Sequence, residues 1–212
     1  PLRLVGSEMC KETAIKNATG TDGGAGIGGG KNSSGATNVN ISRGEVHAST
    51  GYGNGGAGIG GGKESSGATN IEITGDALVS AGSSGSAAIG SGESSTGETT
   101  INIHDTNPEK GVKSAFAYGG AGIGSGRYAK GKTYVTISNA SVSTLETPAA
   151  STNTSGAGIG TGAAIGSGSE GDVFSPPTGD PNTFKTIIRI TDSNVTASSL
   201  FLYTSDAADD LI

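Results

Sequence analysis

Tryptophan is absent from this 212-residue chain, and four Phe and five Tyr bring the aromatic content to only 4%. So few large side chains cannot fill a conventional globular core of this length. Cysteine is nearly absent too. The single Cys10 permits no internal disulfide and no zinc site, and it reads as an incidental thiol. No run approaches about 18 apolar residues, so no segment is expected to insert into a membrane. Charge is thin at 15%, the balance is −6, and the 13 Lys and Arg do not cluster. Binding to nucleic acid draws its affinity from neutralised phosphates, and this composition argues against it. Histidine occurs only as His47 and His104, neither with a partner at metal-ligand spacing. No metal and no cofactor is expected.

Glycine is what the chain has in excess: 40 residues of 212, or about 19%, against roughly 7% in ordinary proteins. Such a composition suits disorder unless apolar residues recur regularly, and here they do. The stretch Gly23-Gly24-Ala25-Gly26-Ile27-Gly28-Gly29-Gly30 returns almost unchanged at residues 55–62. Weaker copies surround Ile89, Ile123 and Ile159, and the five isoleucines lie 32, 30, 34 and 36 residues apart. A period of this size signals a solenoid or array. A further copy, Ala163-Ala164-Ile165-Gly166-Ser167-Gly168, reads as an irregular extra strand.

Two alternating segments follow each glycine stretch, as in Thr37-Asn38-Val39-Asn40-Ile41-Ser42 and Glu45-Val46-His47-Ala48. Strict alternation with β-branched residues is the signature of a strand with one buried face. No segment has helical periodicity. The fold expected is all-β: a single-stranded right-handed parallel β-helix, or β-solenoid, with about 30–36 residues and three short strands per coil. It would occupy residues 1–200 as five full coils and part of a sixth, with residues 2–4 and 14–16 belonging to the preceding coil.

Parity then sets the core columns: Ile27/Ile59/Ile89/Ile123/Ile159, Ile41/Ile73/Ile103/Ile137/Ile190 and Val46/Leu78/Val112/Val142/Val195. About four aliphatics per coil, at roughly 1.5–3 kcal/mol each, are too few for one repeat to stand alone. Thr37, Thr69, Thr99, Thr133 and Thr186 form an inward hydroxyl column at the start of the second strand. Ice-binding solenoids also carry threonine rows, but those must face water, and the outward residues here are mixed in size and charge. Gly30, Gly62, Gly92, Gly126 and Gly162, with Gly35, Gly67, Gly97 and Gly131, are expected to need positive φ. The row Gly26, Gly58, Ala88, Gly122 and Gly158 would be an outward face almost without side chains, suited to a flat partner.

The glycine runs match neither GxGxxG nor GxxxxGK[ST], and no helix follows them, so they do not read as phosphate loops. A polysaccharide-cleaving β-helix would need acids converging on one face, whereas Glu45, Glu72, Asp105, Glu109 and the others fall on several. Aromatics are more suggestive. Phe116, Tyr118, Tyr128 and Tyr134 crowd into one coil beside Arg127. Sugar rings stack on aromatic faces, so Tyr118, Tyr128, Tyr134 and Arg127 are the candidate glycan patch.

The segment 202–209 resembles translated sequencing-adapter sequence of the kind found at the ends of environmental gene assemblies. Residues 201–212 are therefore read as a non-native tail. With Pro1 in place of an initiator Met, the chain reads as a fragment continuing at both ends in a longer protein. The alternation of Gly-Ala-Gly-Ile-Gly-Gly-Gly with Asn-Val-Asn-Ile-Ser and Glu-Val-His-Ala resembles repeat regions of large secreted or cell-surface β-helix proteins. These share the pectin-lyase-like architecture and are adhesin-like or carbohydrate-binding. The resemblance implies an extracellular or cell-surface location and a non-enzymatic structural or adhesive role, with polysaccharide or glycan as partner. The alternative is a fragment of a polysaccharide lyase or hydrolase whose active coils lie elsewhere.

Overall fold

The computed structural model describes residues 15–51, 53–117, 120–144, 165–166 and 186–197. Residues 2–4, Cys10, Gly158, Ile159, Gly162 and the 201–212 tail lie outside the described residues. The chain forms about four turns of a parallel β-solenoid, a β-helix with three strand segments per coil. Its strands are β1 (Ile15–Gly20), β2 (Ile27–Gly28), β3 (Thr37–Thr50), β4 (Ile59–Gly60), β5 (Thr69–Ser83), β6 (Ile89–Gly90) and β7 (Thr99–Thr106). There follow β8 (Gly111–Ala117), β9 (Ile123–Gly124), β10 (Thr133–Ser138), β11 (Ser141–Thr144), β12 (Ile165–Gly166), β13 (Thr186–Thr191) and β14 (Asn194–Ala197).

Every described pairing is parallel. The five two-residue strands stack as β12-β9-β6-β4-β2, and the second and third segments form one nine-stranded sheet. In β3 and β5 those two segments run on as single strands of 14 and 15 residues. Alternation explains the burial: in β10, Thr133, Val135 and Ile137 are buried while Tyr134, Thr136 and Ser138 are half-buried. Ile41, Ile73, Ile103, Ile137 and Ile190 pair in one column, as parity required, and so do the five threonines. In the fourth coil Ser125 donates to Thr133 Oγ1 at 2.9 Å, closing that corner with hydroxyls.

Two columns differ from the sequence reading. Val46 pairs with Val79, not Leu78, and Val79 pairs in turn with Val112. Beyond Ile73 the strand β5 carries one extra residue, which moves the offset from 32 to 33 and inverts the parity. The extra residue is accommodated at Gly75, whose φ of 59° is left-handed. Asp105, Asn139 and Asp192 follow in the same turn of later coils with φ of 50°, 47° and 48°. Asp and Asn are the non-glycine residues that tolerate this region best. In the strand-one column, Ile165 rather than Ile159 pairs with Ile123. The copy read as an irregular extra strand is the one in register.

The glycines also act differently from expectation. Among the described members, neither the Gly30/Gly62/Gly92/Gly126 column nor the Gly35/Gly67/Gly97/Gly131 column has positive φ. From the second coil onward they touch the preceding coil backbone to backbone: a Cβ on Gly97 would fall inside the carbonyl of Gly67, and one on Gly131 inside that of Gly97, whereas Gly30 and Gly35 of the first coil meet nothing within 4 Å. Positive φ belongs instead to Gly28, Gly60, Gly90 and Gly124, between 133° and 145°. Gly58, Ala88 and Gly122 are buried, so their row is not an outward face. A Cβ on Gly58 would lie 2.6 Å from Gly82 O, so this row packs inward against the third strand segment.

Candidate functional site

Among the described residues, the central N–H groups of the glycine motifs are engaged. Ala57 N–H donates to Gly61 O, Ile59 N–H to Ala88 O and Gly61 N–H to Gly90 O, all at 2.8–2.9 Å. The same pattern recurs at Ala25, Ile27 and Gly29 and at Ala87, Ile89 and Ser91, so these donors do not form a cradle for an anion.

Chemistry-bearing side chains gather in two other places. The first is the outward face of the second strand segment. Parallel register sets Asn38, Asn70, Thr100, Tyr134 and Ile187 in one row, and Asn40, Glu72, Asn102, Thr136 and Arg189 in the next. Asn70 Nδ2 donates to Asn38 Oδ1 at 2.9 Å, and Asn40 Nδ2 donates to Glu72 Oε2 at 3.3 Å. His104 Nε2 lies 3.1 Å from Glu72 Oε1, and its Nδ1 lies 3.0 Å from Asp105 Oδ2. Asn139 Nδ2 closes the line by donating to Asp105 Oδ1 at 2.9 Å. A polar chain Asn40–Glu72–His104–Asp105–Asn139 thus crosses four coils.

Glu72 and Asp105, apart in sequence and expected on different faces, converge on His104. Parallel pairing of Thr74 with His104 brings Glu72, 32 residues away, into reach. Among the described residues no group of three His, Cys, Asp or Glu is arranged to hold a metal ion. His47, the other histidine, lies 2.8 Å from Glu45 on a separate strand segment.

Between two carboxylates the His104 ring satisfies both only as imidazolium, donating from each nitrogen. The Asp105 hydrogen bond, then the Glu72 one, raises its pKa above the ordinary 6.5. The same contact lowers that of Asp105 from 3.8, with help from Asn139. A raised histidine pKa contributes stability that is complete below 6.5 and lost as pH rises through the folded value. A lowered aspartate pKa contributes stability above 3.8 that is lost as pH falls through its folded value. The two overlap between about pH 4 and 6.5. His104→Gln is therefore expected to lower Tm by about 1–2 °C in that window, a small effect because the groups are solvated. The difference should shrink as pH climbs further. A difference that is flat from pH 4 to 9 in thermal scans would contradict this account.

The second place is the corner between β9 and β10 in the fourth coil. Tyr128 sits there with φ of 56°, stacked in line with Asn32, Glu64 and Ser94 at 56°, 57° and 54°. Arg127 Nη2 donates to Tyr128 Oη at 2.7 Å, and its guanidinium carbon lies 4.5 Å from the ring centroid. Of the candidate patch, then, Arg127 and Tyr128 are in contact. Tyr134 stands at the start of β10 on the outward row, between Thr100 and Ile187. Tyr118 lies outside the described residues.

No helix among the described residues is long and apolar enough to cross a membrane. The chain matches no protein-family model, no curated protein and no solved structure.

Proposed function

We propose that the chain is a non-enzymatic structural and adhesive segment of β-helix, displayed outside the cell or at its surface, that binds glycan through the fourth-coil corner. The observation that carries this reading is Tyr128, a half-buried aromatic ring at a corner, braced by Arg127 and followed by the outward Tyr134. Rings with adjoining polar groups suit a sugar, whose faces are apolar and whose rim is hydroxyl. A pectin-lyase-like or adhesin-like ancestry fits the same picture and belongs to this proposal.

A glycan-array screen of the whole recombinant chain tests it. Binding to a defined subset of glycans is expected, weakened about tenfold by Tyr128→Asn, the loss of one stacked ring. Asn at this position copies Asn32 of the first coil, so the variant should fold. An array with no bound glycan would refute the glycan reading.

One observation favours a second reading, a polysaccharide lyase or hydrolase: two carboxylates and an imidazole meet on the sheet face at His104. Release of reducing ends or unsaturated products from polygalacturonate, abolished by His104→Gln, would establish it in place of the first.

A further inference from the structure

Five of the chain's 13 basic residues, Lys110, Lys113, Arg127, Lys130 and Lys132, fall within 23 positions. No Asp or Glu occurs between Glu109 and Glu146, although the whole chain carries −6. Three of these cations, Arg127, Lys130 and Lys132, lie within one six-residue corner, stacked beside the third-coil corner that carries Glu93 and Glu98. The equivalent corner of the first coil reads Lys31-Asn32-Ser33-Ser34-Gly35-Ala36, and that of the fourth reads Arg127-Tyr128-Ala129-Lys130-Gly131-Lys132. The stack aligns them position by position: Ser94 N–H donates to Arg127 O, Lys130 N–H to Ser95 O and Thr99 N–H to Lys132 O. The polar Ser34 and apolar Ala36 of the first coil are thus replaced by Lys130 and Lys132. Both lysines are exposed, and among the described residues neither forms an ion pair.

Tyr128 adds an independent observation. Left-handed φ is costly for a bulky side chain, and the stacked coils use Asn, Glu and Ser there. Tyr128 is the one aromatic in that column, and its corner carries three cations, more than the equivalent corners at residues 31–36, 63–68 and 93–98. We infer that this corner recognises an acidic glycan, one bearing carboxylate or sulfate, with Tyr128 stacking on a sugar ring and Lys130 and Lys132 neutralising its anionic substituents. This deepens the glycan reading above and rests on it. Lysine presents a mobile point charge, suited to anionic groups placed at varying positions along a polymer. Arg127 braces the ring, which leaves it a positioning residue for the stack.

The experiment compares one backbone in three forms, on the full chain: unmodified dextran, carboxymethyl-dextran and dextran sulfate, with polyglutamate as a polyanion lacking sugar. Binding is expected to one or both acidic dextrans and to fall at least roughly tenfold between about 0.05 and 0.5 M salt, as exposed charges are screened. The Lys130→Gln/Lys132→Gln double variant should lose at least about tenfold of that affinity. Tyr128→Asn should weaken it while leaving Tm equal or higher, because the substitution relieves the left-handed tyrosine. Carboxymethyl-dextran against dextran sulfate separates uronate-like from sulfated ligands. Equal binding to polyglutamate, or binding insensitive to the double variant, overturns the inference. Binding to neutral glycans alone, on dextran or on the array, overturns it too but leaves the broader glycan reading standing. Binding to no glycan at all removes both.

Discussion

Gly97→Ala is expected to lower stability by about 3 kcal/mol or more, enough to unfold the chain or to break its cooperativity. The added Cβ would collide with the carbonyl group of Gly67 and crowd Ser66 O at 2.9 Å. All of these are backbone atoms, so no rotamer change relieves the clash, and separating the two coils would break the ladders on either side. Gly67 and Gly131 repeat the same close approach one coil away in each direction. Gly35 supplies the control. It occupies the equivalent place two residues before the column threonine, has no positive φ, and a Cβ there meets nothing within 4 Å. Gly35→Ala should therefore change stability by less than about 1 kcal/mol. Thermal and urea unfolding followed by circular dichroism would decide. Equal losses at Gly35 and Gly97 would mean that close stacking is not what selects glycine.

Ile103→Ala should cost about 2–5 kcal/mol, the range for truncating a large aliphatic in a closed core. Ile103 is fully buried, with Ile73 and Ile137 as its column neighbours. The fold buries few large groups per coil, so little else is available to collapse into the gap. Ile190 belongs to the same column but is 46% exposed, so Ile190→Ala should cost less than about 1 kcal/mol. The contrast separates burial from residue type. If Ile190→Ala cost as much as Ile103→Ala, the column would have to be closed beyond Ile190 in solution. Denaturant midpoints measured at constant m-value would show which holds.

Most of the scaffold was legible because two features are strongly periodic. Alternation in Val39/Ile41, Ile71/Ile73 and Ile101/Ile103 specifies a buried face without ambiguity, and the period specifies stacking. Leu78 was misplaced because Ala77-Leu78-Val79 is apolar on both parities, so pattern alone cannot choose a face. The choice is made at Gly75, where one residue in the left-handed region shifts the strand. Ile159 was chosen over Ile165 because both sit in nearly identical glycine motifs, and spacing favoured the nearer one. A glycine's identity says nothing about whether it is needed for its φ or for its missing Cβ, which is why the two roles were exchanged. As for the sites, Arg127 beside Tyr128 was readable from adjacency. The Glu72–His104 contact was not, since it joins residues 32 apart and exists only once the Thr74–His104 pairing is known. The cationic corner shows in composition only coil by coil, because the −6 of the whole chain masks it.

The parallel ladders carry one mechanical consequence. Hydrogen bonds between coils point along the stacking axis, so a force pulling the two ends of the solenoid apart loads them head-on. Successive inter-coil ladders then act in series, each bearing the whole tension, and rupture begins at the weakest rather than being shared among all. Side-chain bridges from coil to coil, such as Asn38–Asn70 and Glu72–His104–Asp105–Asn139, lie along the same line and reinforce it. Under tension such a rod would yield stepwise, one coil peeling at a time, and lengthen before it detaches.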